Sequence, residues 1–230
     1  MAKNKKAKKP ETKDNKRLLL YTVGIVTVAL VIFGVITLAG DKNGEETAAE
    51  DYSDDYSDVT KPVATITMEN GDLIKVELDP ASAPNTVRNF IALASDGFYD
   101  GLIFHRVIPG FMIQGGCPQG QGTGGPGYSI RGEFPDNNFD NPLRHTRGVV
   151  SMARSNRPDS AGSQFFIMVD AAPQLDGQYA AFGMVTEGME AVDSIVNVER
   201  NQGDKPFEDQ VIKSITIETF GVEYDPPDKL

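Results

Sequence analysis

FHRVIPGFMIQGG, from Phe104 to Gly116, surrounds one arginine, Arg106, with apolar and hydrogen-bonding residues. Its two β-rich runs, Ile103 to Ile108 and Phe111 to Gln114, flank Pro109-Gly110, a pair suited to a tight turn. The run supplies no nucleophile, metal cluster or phosphate loop. Any chemistry here rests on electrostatics and shape. Arg106 read alone could equally be a surface strand residue in an ion pair, so its neighbours along the chain must decide.

Outward from this run the chain is β-rich. Val63 to Met68 and Leu73 to Leu78 are strand-like runs separated by Asn70-Gly71, a strong hairpin signal. Ala83-Pro84 opens a helix whose apolar stripe is Val87, Phe90, Ile91 and Ala94, and Gly97 stops it. Further strands are expected at Gly148 to Ala153, Gln164 to Val169, Ala180 to Val185 and Val211 to Phe220, with a second helix over about Met189 to Val198. Many short strands, glycine-rich connections and two helices argue for a barrel or a sandwich. Spacing alone leaves those two open.

Three further features carry less than their spelling implies. Gly120 to Gly125 satisfies GxGxxG, but Pro126 and Gly127 continue a loop where a dinucleotide site needs a helix to begin. Cys117 with His105 or His145 could in principle pair a thiol with a base, yet a lone cysteine beside Pro118 at a loop start is more often only a residue. Two histidines without matching ligand spacing make a poor metal site. His105, next to Arg106 in a strand, is expected on the opposite face, packed and hydrogen-bonded.

The run around Arg106 resembles the signature of the cyclophilins, peptidyl-prolyl isomerases. The resemblance continues through GTGGPGY (Gly122 to Tyr128), SMA (Ser151 to Ala153), GSQFFI (Gly162 to Ile167), and LDG with FG (Leu175 to Gly177, Phe182 to Gly183), covering roughly Pro62 to Gly221. It implies a mainly β fold, a closed eight-stranded antiparallel barrel capped by the two helices. It also implies cis/trans isomerisation of X-Pro bonds without a cofactor, with proline-containing polypeptides as partners. Arg106 is then the catalytic residue. Phe111, Met112, Phe166 and Leu175 line a pocket for the proline ring, and Gln114 holds the carbonyl before the proline and helps anchor Arg106. Ala153 and Arg154 bind the peptide backbone, with Gln164 nearby and Tyr179 at the rim.

The chain departs from eukaryotic cyclophilins at three of these places. Gln174 stands where they usually carry tryptophan, and Arg154 and Tyr179 where they carry asparagine and histidine. The first implies weak cyclosporin binding, the second an altered peptide preference. With shorter loops than eukaryotic members, the chain resembles a bacterial form. A non-catalytic module that retains proline-containing segments of secreted proteins is the alternative from a different class.

Charge is segregated along the chain. Residues 1–17 carry eight basic and two acidic side chains, net +6, and residues 18–39 carry no charge. At about 1.5 Å per residue that span is long enough for a helix to cross a hydrocarbon core of about 30 Å. It is longer than the apolar core of a signal peptide and ends in TLAGD, a poor cleavage site. A lipoprotein would need a cysteine there, and the only one is Cys117. The positive-inside rule puts the basic tail in the cytoplasm, against anionic lipid, and the rest outside. Residues 40–61 hold eight acidic and two basic side chains, net −6, and read as a solvated linker spanning about 25 Å or more. Residues 62–221 form the domain and 222–230 a tail. From Pro62 onward the net charge is −11, which excludes a nucleic-acid partner bound through phosphates. The sequence thus predicts a single-pass membrane protein with an extracytoplasmic domain and no internal disulfide.

Overall fold

The structure is a computed structural model and describes Tyr56 and residues 59–230. The basic tail, the apolar span at 18–39 and most of the acidic linker lie outside the described residues. Among the described residues no helix is long and apolar enough to cross a membrane.

Eight strands form one antiparallel sheet. In chain order they are β1 (Val63–Met68), β2 (Leu73–Leu78), β3 (Arg106–Ile108), β4 (Met112–Gly115), β5 (Val149–Met152), β6 (Phe165–Met168), β7 (Ala181–Glu187) and β8 (Ile212–Glu218). Helix α1 (Pro84–Ser95) follows β2, and α2 (Met189–Val196) follows β7. The spatial order is β3-β4-β6-β5-β7-β2-β1-β8. The Asn70-Gly71 turn closes β1 on β2 in the register Thr67↔Leu73, with Gly71 at φ +92°.

The expected closed barrel needs correction. The sheet curls on itself, but its edge strands β3 and β8 form no ladder with each other. Instead the segment before β3 bonds to β8 through the single bridge Ile103↔Val211 and the pair Gly101 N–H to Ile212 O and Ile212 N–H to Leu102 O, both 2.8 Å. The seam further along is a loop contact, Val107 N–H to Asp204 O at 2.8 Å. Ahead of β3 the chain turns toward β8, with Phe104 N–H on Gln210 O at 3.0 Å. The short length of β3 leaves too few backbone groups to close a ladder.

Side-chain alternation sorts the sheet into two faces. Ile66, Ile74, Val76, Val107, Ile113, Val150, Phe165 and Ile167 point into the main core. Phe90 of α1 fills its centre, 5.2 Å from the Tyr99 and Phe182 rings and 5.5 Å, edge-on, from Phe165. The opposite face of β4, β5 and β6 carries a second, smaller apolar cluster, with Met112, Val149, Phe166 and Met168 buried in it.

Helix α1 lacks a capping side chain of its own, since Ala83 precedes it. Glu133, distant in sequence, takes that role. Its carboxylate accepts from the N–H of Asn85 at 2.9 Å and of Thr86 at 2.7 Å, and from the Thr86 hydroxyl. Burial pushes the Glu133 carboxyl above its ordinary value, against the pull of those donors. The helix is buried beyond its apolar stripe, at Asn85, Thr86, Arg88 and Asn89 as well. Asp228 accounts for part of this, because it bonds to Asn85 and Arg88. The second helix follows Gly188, at φ +88°, where a Cβ would collide with the Leu73 carbonyl.

Candidate active site

Strand β3 exposes Arg106 and buries Val107, so the guanidinium stands on the same face as the smaller apolar cluster. Antiparallel register sets Arg106 opposite Gln114, and Gln114 opposite Phe166. Met112, two residues before Gln114, falls on that face too. A cavity of about 150 Å³ opens there, lined by Arg106, Phe111, Met112, Gln114, Ala153, Arg154, Phe166, Leu175 and Tyr179. The structure therefore brings together nine of the ten site residues named from the sequence. Gln164 lines the adjoining polar cavity, of about 290 Å³, with Gly124, Tyr128, Ser155 and Gly162 among its walls.

Apolar and polar parts of this groove are separately held. Met112 and Phe166 are 2% and 5% exposed, so the floor is closely packed. Leu175 sits at the end of a 3-10 turn, Pro173–Leu175, with Gln174 exposed beside it. Gln114 donates through Nε2 to Gln164 Oε1 at 3.0 Å, and Gln164 donates through its Nε2 to Gly124 O at 2.8 Å. That amide relay engages Gln114 with Gln164, whereas Arg106 pairs with Asp204, with Nε and Oδ2 3.8 Å apart. The charge of Arg106 is half-exposed and weakly paired, which leaves its terminal nitrogens available.

Arg154 is fixed from several directions. Its Nε donates to Gln178 O and its Nη1 to Ser155 O, both at 2.9 Å. The guanidinium also lies 5.0 Å from the Phe134 ring and 4.7 Å from the Tyr179 ring. Its role in the wall is therefore geometric as much as electrostatic.

Beneath the apolar floor lies a constellation that the sequence reading missed. His145 Nδ1 is 3.1 Å from Asp176 Oδ1, and its Nε2 is 3.0 Å from Ser151 Oγ. The residues match a hydrolase triad in kind. However, Ser151 is fully buried and no substrate atom could reach its hydroxyl. The imidazole instead stacks under Phe166, at 6.0 Å and 18° between planes, so the set supports the pocket floor. No local spacing signals it, because β5, the loop before it and the 3-10 turn meet only in the folded chain.

His105 is packed as expected, at 5% exposed. The expectation of a hydrogen-bonded ring is met only weakly: among the described residues no well-formed hydrogen bond reaches either nitrogen, and the Ile103 backbone is the acceptor that lies nearby. Burial lowers the His105 pKa, opposed by the nearby Ile103 backbone, with Lys205 and Arg106 adding to the fall. Burial likewise lowers the His145 pKa, and Asp176 resists it.

These two groups predict an acid sensitivity. Both folded-state values lie below the ordinary imidazole value of 6.5, so on acidification the unfolded chain takes up protons first. Their stabilising contribution is complete above that value and is lost as pH falls below it toward the folded values. The urea midpoint is expected to drop between about pH 7.5 and about pH 5, and less steeply in His145→Gln. A midpoint flat over that interval would count against neutral buried imidazoles. Asp176, although pushed up by burial, is held low overall by its His145 and Arg144 contacts, and so acts only in stronger acid.

Cys117 is buried at the start of the glycine-rich loop. Burial pushes its thiol up, but the backbone N–H groups of Gln121, Gly124, Gln119 and Gly122 converge on the sulfur and bring it below the ordinary value. Gly124 N–H approaches Sγ at 3.3 Å. The thiol organises this loop from within and is closed to substrate. Glycines 120, 122 and 127 all take positive φ, and no helix begins there, which removes the dinucleotide reading. Among the described residues no group of three or more His, Cys, Asp or Glu side chains could hold a metal ion.

Comparison with known proteins places this groove in context. Residues 63–217 match the family described as cyclophilin type peptidyl-prolyl cis-trans isomerase/CLD. Peptidyl-prolyl cis-trans isomerase B of Bacillus subtilis is 52% identical over 130 residues, 56% of this chain and 87% of that protein. The peptidyl-prolyl cis-trans isomerase of Helicobacter pylori is 48% identical over 143 residues, 61% of this chain and 81% of that protein. A Cryptosporidium parvum cyclophilin type isomerase, crystallised in the presence of the dipeptide Ala-Pro, superposes with a TM-score of 0.62 at 36% identity. That match covers 68% of this chain and 98% of the other.

Proposed function

Because the chain belongs to the cyclophilin-type peptidyl-prolyl cis-trans isomerases and has their activity, we propose that it serves the folding of secreted or surface proteins, with Arg106 stabilising the twisted prolyl amide. Rotation about an X-Pro bond is slow because amide resonance must be broken, while the isomers differ by only about 0.5–1 kcal/mol. The catalyst therefore stabilises the twisted state and need supply no net free energy. As the bond twists, the prolyl nitrogen pyramidalises and regains a lone pair. A guanidinium that donates to this nitrogen binds the transition state better than either ground state.

The observation that carries this reading is that Arg106 lines the same cavity, of about 150 Å³, as the apolar side chains of Phe111, Met112, Phe166 and Leu175. Met112, Phe166 and Leu175 offer the proline ring an apolar seat, and Gln114, held by Gln164, offers an N–H to the preceding carbonyl. The Cryptosporidium structure with Ala-Pro supports proline-containing peptides as the ligand class. The full chain should accelerate proline-limited refolding of a secreted substrate protein, and a proline peptide filling the groove should inhibit it. Acceleration of only proline-independent phases would reject the reading.

For location, we infer a membrane-anchored bacterial form with the isomerase domain outside the cytoplasm. Support comes from the +6 segment at 1–17, the uncharged residues 18–39 and the acidic linker. The sequence similarity to bacterial isomerases agrees with that source. Protease added to right-side-out protoplasts is expected to release the folded domain within minutes. Full protection of the domain, or recovery of the intact chain in the soluble cytosolic fraction, would overturn the assignment.

A further inference from the structure

The polar cavity beside the proline pocket has an outer wall built on Tyr128 and Gly162, and that wall is tied to residues near position 230. The Tyr128 hydroxyl donates to Asn89 Oδ1 at 2.8 Å, and Asn89 Nδ2 donates to Gly162 O at 2.7 Å. The Lys229 ammonium lies over the Tyr128 ring, 4.2 Å from the centroid. The adjacent carbonyl of Ser129 accepts from Leu230 N–H at 2.8 Å. Asp228 fastens this segment to α1. Its N–H donates to Asn85 Oδ1 at 2.8 Å, its carbonyl accepts from Asn85 Nδ2 at 3.1 Å, and its carboxylate meets the buried Arg88 at 2.8 Å. The wall leaves no room for a side chain at Gly162, since a Cβ there would collide with the Pro126 ring.

We propose that Asp228–Leu230 act as a positioning strap that holds this wall and so sets which side chain a client can place beside its proline. The proline pocket and the polar cavity share Gln114, Ala153 and Arg154. A client whose proline fills the first therefore sends a neighbouring side chain into the second. Thr123, Ser155, Ser160 and Gln164 around that cavity suit an uncharged hydrogen-bonding side chain. The strap touches no reacting atom, and its effect is on selection among clients. This inference rests on the groove serving clients as proposed above.

The test compares the full chain with Lys229→Ala, Lys229→Arg and Asp228→Ala on peptides sharing one proline and differing before it, with glycine, glutamine or leucine. Lys229→Ala is expected to reduce the affinity advantage of the glutamine peptide over the glycine peptide by about two- to fivefold, the worth of a half-exposed cation–ring contact. Lys229→Arg should restore it, since a guanidinium also stacks on the ring. A uniform loss for all peptides would mark a merely structural role and overturn the proposal, as would unchanged discrimination. Should Asp228→Ala unfold the domain by stranding Arg88, the two Lys229 variants still decide. Arg106→Ala separates the two readings: retained turnover there rejects the catalytic assignment, while the order of affinities continues to test the strap.

Discussion

Arg106→Ala is expected to lower turnover of an X-Pro peptide by about a hundred- to a thousandfold, equivalent to about 2.7–4 kcal/mol for one preorganised charge-stabilising donor. The fold should survive. The side chain is 44% exposed and its ion pair with Asp204 spans 3.8 Å, so its removal costs about 0.5 kcal/mol or less in stability. The apolar seat formed by Met112, Phe166 and Leu175 is untouched, so peptide affinity should fall far less than turnover. Arg106→Lys should recover part of the rate, because an ammonium keeps the charge and loses the planar fork. The measurement is kcat and KM on variants whose melting matches the parent. Near-parental kcat in Arg106→Ala would reject the mechanism. Retention of proline-containing clients with no turnover, in cells that still thrive, would favour the binding-module alternative.

Phe90→Ala should be the most damaging core substitution, at about 3–5 kcal/mol. The ring is 1% exposed and meets Tyr99, Phe165 and Phe182 at 5.2–5.5 Å, so no neighbour can swing in without leaving another gap. A domain of ordinary stability, about 5–15 kcal/mol, would lose a large share of it. The urea midpoint reads this directly. Because Phe165 shares a strand with the pocket residue Phe166, the substitution also tests whether the site depends on the core. The expected result is loss of activity in proportion to the unfolded fraction, with kcat of the folded molecules nearly unchanged. A loss below about 1.5 kcal/mol would show that the surrounding rings collapse onto the space.

Strand and helix positions were legible because period-2 and helical apolar patterns survive in the linear sequence. The Asn70-Gly71 hairpin and the stripe Val87, Phe90, Ile91 and Ala94 lie within the elements expected of them. Closure of the sheet was not legible. Whether two edge strands form a ladder depends on how many backbone groups remain unpaired at the seam, and β3 has only three residues. The groove residues near Arg106 could be named because their short motifs resemble those of the cyclophilins, and the structure sets Arg106 opposite Gln114 across β3 and β4.

Long-range polar partners were a different matter. Glu133 reaches α1 across 47 and 48 residues, and Asp228 reaches Asn85 across 143. The His145–Ser151–Asp176 set joins three segments. A hydrogen bond specifies its partner only through a distance and an angle, and any carboxylate in the chain could have met those donors. The residues' own chemistry thus determined the β-rich class and the segregation of charge, and the family resemblance pointed to the arginine-centred groove. Only the folded chain decided which buried polar groups satisfy one another, because burial removes water as the alternative partner and makes an unmade pairing costly.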